Sequence, residues 1–357
     1  MMDRVRLGVI GCGSLGKLHV NLNFNRKDIM SADLHPFAEK LEVRGLVDID
    51  LAKAEALRET FGGAYATDDP ERLFADDKMD AVLITTWHDT HAPLSLRALA
   101  SGKHVLVEKP MVMTEKECDD VVEAVERTGL KYMVAFRSRF GKGAKDVKRE
   151  IPHPDNVITH ARTHGIWREG MWAQDPIKGG GQILSQGCHI VDLMFFLAGA
   201  EPESVYAVGG VYHHSRPDVM DTLNAAIRFN NGSVGALIAG DGGAGRLMNH
   251  PKLAYQFPFF VMVIDKGRSA LVMDHGHDAR FESCVPESEW TPPYDVADYT
   301  HDLGSEAASG MADILPTFTR CILNDETPPA TARDGARTTR FIRKCFESAI
   351  TGKIVTF

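Results

Sequence analysis

Val5-Arg6-Leu7-Gly8-Val9-Ile10-Gly11-Cys12-Gly13-Ser14-Leu15-Gly16 is the stretch that decides the fold. Its first half, Val5–Ile10, is a short apolar run of the kind that forms a buried strand. The second half is Gly-x-Gly-x-x-Gly, and Leu15, Leu18 and Leu22 continue it as a helical apolar stripe. A strand that turns through such glycines into a helix is built to receive a pyrophosphate. Gly11 permits the tight turn, Gly13 lets the backbone approach the phosphates, and Gly16 lets helix and strand pack closely. The N–H groups at the helix start, around Cys12, Ser14 and Leu15, then face the anion with the helix dipole behind them. These six residues, Gly11 to Gly16, are the first expected cofactor contacts.

Outward from that motif, the first 137 residues alternate short apolar runs with amphipathic helices, the pattern of a parallel sheet covered on both faces. Runs at 5–10, 43–47, 64–66, 81–85, 105–107 and 132–136 supply the strands. A helix over Leu51–Phe61 stops at Gly62-Gly63, and Thr114-Glu115-Lys116-Glu117 is a capping box opening another that ends near Gly129. Residues 30–40, with His35-Pro36, read as a surface insertion between the first helix and the second strand.

The pattern changes from about residue 138. A strand at 157–164 leads to Gly179-Gly180-Gly181 and a helix over 184–197. Short strands then pair around Asn230-Asn231-Gly232 and Asp265-Lys266-Gly267, which are hairpin signals. Residues 240–245 are glycine-rich but open no helix, and read as a mobile loop. Two helical patterns, 307–323 and 334–351, close the chain. The expectation is an α/β protein: a dinucleotide-binding, doubly wound parallel sheet over 1–137, then a substrate-binding and oligomerisation α+β domain over 138–357, largely antiparallel. The last helix is free to pack back on the first domain.

Composition narrows the function. The chain has 357 residues, 44% apolar and 25% charged, and a net charge of −9. That balance leaves no basic surplus for nucleic acid. No apolar run reaches the roughly 18–20 residues of a membrane helix. Cysteines at 12, 118, 188, 284, 321 and 345 contain no C-x-x-C pair, which reads as reduced thiols in a cytoplasmic protein. The first strand begins within a few residues of Met1, which leaves no room for a signal peptide.

Asp48 ends the second strand, where a carboxylate accepts from the adenosine ribose hydroxyls and repels a 2′-phosphate. Thr85, Thr86, Trp87 and His88 follow the fourth strand at the ligand-binding edge, and His91 begins the next helix. The His88–His91 spacing is metal-like, but no further ligand stands nearby in the sequence. Glu108, Lys109 and Pro110 follow the fifth strand and, with the residues from Thr85 to His88 and His91, are further expected cofactor contacts. A lysine there can hydrogen-bond a substrate hydroxyl and stabilise developing alkoxide charge, and Pro110 suits a cis bond. On a continuous helix Ser185, His189 and Asp192 share one face, making His189 an acid/base with two polar neighbours. Arg137 and Arg139, after the sixth strand, are placed to touch cofactor or to tie the domains together.

Gly-x-Gly-x-x-Gly, Glu-Lys-Pro, then Gly-Gly-Gly followed by Gly-x-His-x-x-Asp-Leu, in that order, resembles the Gfo/Idh/MocA oxidoreductases. The resemblance implies a bound NAD and hydride transfer at a sugar or cyclitol carbinol. It implies that Lys109 and His189 are catalytic, and that a large open sheet serves a homodimer or homotetramer. Ser185 departs from the pattern, since many members carry Asp there to raise the basicity of the histidine. Trp167, Arg168 and Trp172 match the substrate-side loop, where aromatic faces suit sugar C–H groups and an arginine suits an anionic substituent. With Lys109, Ser185 and His189 they form the expected substrate site. Two alternatives stand beside a dehydrogenase. One is an NAD-dependent glycoside hydrolase working by transient oxidation and elimination, for which His164 is a further candidate group. The other is a cofactor-bound sensor without catalysis.

Overall fold

A computed structural model describes residues 3–152, 158–164, 170–212, 218–241, 259–265, 268–273, 278–283, 296–299 and 310–357. The chain divides into two compact units, 1–136 with 311–337, and 137–310 with 338–357.

The first unit is built on six parallel strands, β1 (Val5–Ile10), β2 (Leu41–Val47), β3 (Tyr65–Thr67), β4 (Ala81–Ile84), β5 (His104–Val107) and β6 (Tyr132–Val134). Their order is β3-β2-β1-β4-β5-β6, so the direction of winding reverses between β1 and β4. In such a sheet the ligand crevice opens at the carboxyl ends of the strands flanking that reversal. The central strands are apolar through most of their length because helices cover both faces: Leu7, Val9, Val82, Leu83, Val105 and Leu106 are fully buried. The helices are α1 (Ser14–Asn25), α2 (His35–Ala38), α3 (Leu51–Phe61), α4 (Pro70–Phe74), α5 (His91–Ala100) and α6 (Glu115–Thr128). The capping box on α6 forms as expected, and Gly129 closes that helix in the left-handed conformation.

Two expectations need correction here. The 30–40 segment is more than a surface insertion: Met30, Leu34 and Ala38 are buried, and α2 packs against α10 (Ile314–Leu323). The backbone N–H and hydroxyl of Ser31 both donate to Asp313, at 2.8 and 2.5 Å. Residues 311–337 accordingly belong with the first unit rather than the second. An apolar helix containing Ile314, Leu315 and Phe318 finds its cover on α1 and α2, a choice no local pattern reveals.

The second unit carries a nine-stranded sheet, β7 (Ile158–His164), β8 (Pro202–Gly210), β9 (Thr222–Phe229), β10 (Val234–Gly240), β11 (Phe259–Asp265), β12 (Arg268–Met273), β13 (Asp278–Ser283), β14 (Val296–Tyr299) and β15 (Val355–Thr356). The order is β14-β13-β12-β11-β7-β10-β9-β8-β15, antiparallel except for β7 against β10. The 230–232 turn joins β9 to β10 with Gly232 at φ 86°, as a tight hairpin requires. Residues 266–267 of the second expected hairpin and most of the 240–245 loop lie outside the described residues. Helices α7 (Lys142–Glu150), α8 (Gln182–Ser185) and α9 (Gly187–Ala198) complete this unit, and α9 packs on β7 and β11. The last helix, α11 (Ala332–Thr351), begins in the first unit and runs on into the second.

No described helix is long and apolar enough to cross a membrane.

Candidate active site

The glycine-rich turn sits at the carboxyl end of β1. Gly11 has φ 94°, a conformation side chains other than glycine's rarely adopt, and a Cβ there would lie 2.6 Å from the Thr85 carbonyl oxygen. A Cβ on Gly16 would lie 2.1 Å from the Gly11 carbonyl, so helix and turn touch backbone to backbone. Gly13 differs, because a Cβ on it would meet nothing within 4 Å. Helix α1 starts from Gly13 with no side-chain cap and no acidic residue in its first turn. Its leading N–H groups are therefore left for an external acceptor, and a diphosphate fits that donor set.

The helix presents a different buried face from the one expected. Of the expected stripe Leu22 is buried but Leu15 is exposed, and the interior face runs through Gly16, His19, Val20, Leu22 and Asn23. Gly16 has to lie against the strand, and that contact rotates its i+3, i+4 and i+7 neighbours inward with it.

Asp48 lies where the dinucleotide reading requires it, at the end of β2. Its carboxylate accepts from the Cys12 N–H at 2.8 Å and from the Asp50 N–H at 2.9 Å, which locks the side chain beside the glycine-rich turn. Cys12 itself is buried, and burial together with the Asp48 charge pushes its thiol up to about 12, so it carries no thiolate chemistry. Thr85 is spent on architecture: its hydroxyl donates to the Gly11 carbonyl at 2.6 Å and binds the ends of β1 and β4 together. Beyond it, Trp87 is exposed and His88 buried. The ring of His91 is fully buried, with Nδ1 2.8 Å from the Pro110 carbonyl and Nε2 3.2 Å from the Thr86 carbonyl. Burial holds its pKa below the ordinary histidine value. Both nitrogens face backbone, so His91 shapes the wall of the site from behind. Among the described residues no group of three or more His, Cys, Asp or Glu could hold a metal ion.

Lys109 follows β5, half-exposed between a buried glutamate and a buried proline, and the Lys109–Pro110 bond is cis. Glu108, one of the expected cofactor contacts, is buried and turns inward: Nε2 of His19 lies 2.8 Å from its Oε1, and its Oε2 accepts from the Lys109 N–H at 3.1 Å. Burial pushes the Glu108 carboxyl up, but the His19 hydrogen bond and the charges of His19 and Lys109 outweigh it and hold the group below its usual range. His19 went unnoticed in the sequence. The available signal was a polar residue three positions after the last motif glycine, on the face that Gly16 must bury.

In the second unit, the helix expected over 184–197 is interrupted. It breaks at Gln186, so Ser185 closes α8 while His189 and Asp192 lie on α9. Ser185 is therefore not one face-turn below His189 on a continuous helix. Gly187 at the junction weakens helical continuity, and the His189 N–H donates to the Gln186 carbonyl in a tighter 3₁₀ step. His189 is buried. Asp192 accepts a bidentate pair from Arg139, at 2.8 Å from Nε and 2.6 Å from Nη2, with both side chains almost wholly buried. Arg139 thus works inside the second unit, its guanidinium also lying 5.2 Å from the ring centre of Phe196. Arg137 is half-buried and Trp172 exposed, whereas Trp167, Arg168 and the His164 side chain lie outside the described residues.

Residues 5–136 match the model of the oxidoreductase family with an NAD-binding Rossmann fold, and residues 155–250 match that of the GFO/IDH/MocA C-terminal domain. The chain is similar to myo-inositol 2-dehydrogenase of Thermotoga maritima, 26% identical over 65% of this chain and 67% of the relative. It is also similar to the NAD⁺-dependent scyllo-inositol 2-dehydrogenase of Bacillus subtilis, 29% identical over 66% and 67%. Levoglucosan dehydrogenase of Pseudarthrobacter phenanthrenivorans is 28% identical over 69% and 70%. In fold, a levoglucosan dehydrogenase solved with NADH and levoglucosan superposes with a TM-score of 0.82 at 19% identity, covering 99% of both chains. With two matched domains and a pyrophosphate-ready glycine turn beside an anchored Asp48, the chain belongs to the GFO/IDH/MocA family and is an NAD-binding oxidoreductase.

Proposed function

We propose that this enzyme oxidises a secondary alcohol of a sugar, sugar derivative or cyclitol, with Lys109 and His189 as its proton-handling groups. NAD, when bound, accepts the hydride. The residues from Gly11 to Gly16 hold its pyrophosphate and Asp48 its adenosine ribose. Thr85, Thr86, Trp87, His88 and Arg137 line its path, with the Glu108-Lys109-Pro110 turn at the reacting end. Lys109 donates a hydrogen bond to the reacting oxygen and stabilises the alkoxide character that develops there as its proton is removed, before hydride loss turns the carbinol into a carbonyl. His189 takes the proton, while Trp167, Arg168, Trp172 and Ser185 hold the substrate.

The observation that carries this reading is Lys109 itself. It is the half-exposed ammonium of a turn whose neighbours are buried, at the end of the strand next but one to the pyrophosphate turn. The names of the relatives, inositol and levoglucosan dehydrogenases, support the substrate class. The test is a screen of cyclitols, anhydrosugars, uronates and sulfosugars with NAD, following NADH by absorbance. One NADH per product supports a dehydrogenase, and many turnovers of a glycoside with no net NADH overturn that reading.

Asp48 sets the cofactor preference: titrating NAD and NADP side by side should show NAD bound at least about tenfold more tightly, and equal affinity would remove Asp48 from this role.

The assembly is a homodimer or homotetramer. On one face of the sheet Tyr206, Val208, Val234, Ile238 and Ile158 are all exposed. The strand register sets them in rows, Ser204–Arg228–Val234–Ile158 and Val208–Asn224–Ile238–Arg162 among them. Such a contiguous half-apolar face suits a second copy of the chain. A monomeric mass by light scattering at micromolar concentration would rule this out. The five described cysteines are free thiols, which fits a cytoplasmic protein.

A further inference from the structure

We infer that His19 and His91 are positioning residues for Lys109, bracing the turn that carries it from its two sides. The inference rests on Lys109 being the group that meets the substrate oxygen.

Lys109 is half-exposed between two buried residues, so the position of its backbone is set in part by what fixes Glu108 before it and Pro110 after it. On the first side, the fully buried ring of His19 reaches from α1 to Glu108 Oε1, and the other Glu108 oxygen holds the Lys109 N–H. A buried carboxylate without donors is costly, but this one has a donor on each oxygen and stays anionic. The same helix, six residues from its start, therefore holds both the pyrophosphate donors and the anchor of the lysine turn.

On the second side, Pro110 has no N–H, so its carbonyl is the polar backbone atom by which the turn can be held. Nδ1 of His91 lies 2.8 Å from it. The ring faces carbonyls at both nitrogens, and carbonyls only accept. Burial keeps it neutral, with a single N–H. The shorter contact assigns that proton to Nδ1, donating to Pro110, which leaves the Nε2 lone pair 3.2 Å from the Thr86 carbonyl with no hydrogen bond between them. Each histidine thus delivers one N–H to one flank of Lys109. Neither is positioned to touch substrate, and their effect passes through the lysine.

Amide side chains separate a brace from mere filling. The amide nitrogen of Gln reproduces the Nε2 donor of His19, and that of Asn reproduces the Nδ1 donor of His91, whereas Leu fills space and donates nothing. The experiment labels the full-length protein with acetic anhydride at pH 8 and reads the Lys109 peptide by mass spectrometry, with no substrate present. Labelling of Lys109 should change by about threefold or more in His19→Leu and His91→Leu and return to within about twofold of wild type in His19→Gln and His91→Asn. NADH fluorescence titration confirms that each variant is folded. If a Leu variant does not fold, Glu108→Gln breaks the first link isosterically and is read the same way.

In turnover, the double variant His19→Leu/Lys109→Ala should match Lys109→Ala, because a residue acting through the lysine has nothing left to act on. Unchanged Lys109 labelling in folded Leu variants, or additive losses in the double variant, would overturn the brace. Lys109→Ala with full turnover would instead overturn the assignment of Lys109, whatever the labelling shows.

Discussion

The two units hold their candidate site residues in different ways. In the first, Gly11, Asp48, Thr85 and Lys109 all stand at the carboxyl ends of parallel strands, where the topology gathers them. Asp48 is held by two backbone N–H groups and Thr85 by a backbone carbonyl, whereas the lysine turn also draws on the side chains of His19 and His91. In the second, Ser185, His189 and Asp192 lie on two successive helices, and Asp192 is set by a side chain from elsewhere, Arg139. A strand-end site is specified by local geometry, so its residues can be read in order along the chain. A helix-face site is specified by packing, so a break of one residue at Gln186 changes which groups adjoin.

The comparison is tested most severely at its two proposed catalytic groups. Lys109→Ala and His189→Ala should each lower turnover by roughly 10²–10⁴-fold with NADH affinity retained, as loss of a proton-handling group does. If one variant alone is impaired, the chemistry belongs to that unit only.

The buried Arg139–Asp192 pair should behave unlike the backbone-held Asp48 and Thr85 of the first unit. Arg139→Met strands an uncompensated buried carboxylate and should cost roughly 3–5 kcal/mol, seen as a large drop in Tm. Adding Asp192→Leu should recover much of the loss, since two apolar side chains need no pairing.

Within the first unit, two glycines give a finer contrast. Gly13→Ala adds a methyl to open space and should leave the Tm of the free protein unchanged while weakening NADH binding by about tenfold or more, as expected where backbone must approach phosphate. Gly16→Ala drives a methyl into the Gly11 carbonyl and should destabilise the protein itself, by roughly 1–3 kcal/mol. Equal effects of the two on Tm would refute the division between a ligand-facing and a packing glycine.

The smallest effect is on pH. Burial lowers the pKa of His91, and burial with the charge of Lys131 lowers that of His104, from the ordinary value of 6.5. Between 6.5 and those lowered values the unfolded chain binds more protons, so stability is complete above pH 6.5 and declines as pH falls through the folded values, by at most about 1.36 kcal/mol per pH unit for each ring. The Glu108 contribution, from a carboxyl lowered below 4.5, is lost only at more acid pH. Tm measured from pH 7.5 to 4.5 should show the histidine decline first, and His91→Asn should flatten it.

Much of the first unit follows from the sequence alone. Strand β1 begins and ends where its apolar run does, and the glycine spacing, Asp48, the capping box at Thr114 and the Glu108-Lys109-Pro110 turn are local statements about backbone conformation and charge. Such signals survive in a linear chain because each works over a turn of helix or the end of a strand. The tertiary structure decided what depends on distant partners. It put His19 rather than Leu15 inside, because Gly16 must touch the Gly11 carbonyl. It turned Glu108 inward, because a buried histidine waits there 89 positions away in sequence. It gave Asp192 to Arg139, and it drew residues 311–337 back to the first unit to bury an apolar helix on α1 and α2. Apart from the local Gly16–Gly11 contact, the deciding quantity is the burial of a group against a partner far along the chain, and only the folded arrangement supplies that partner.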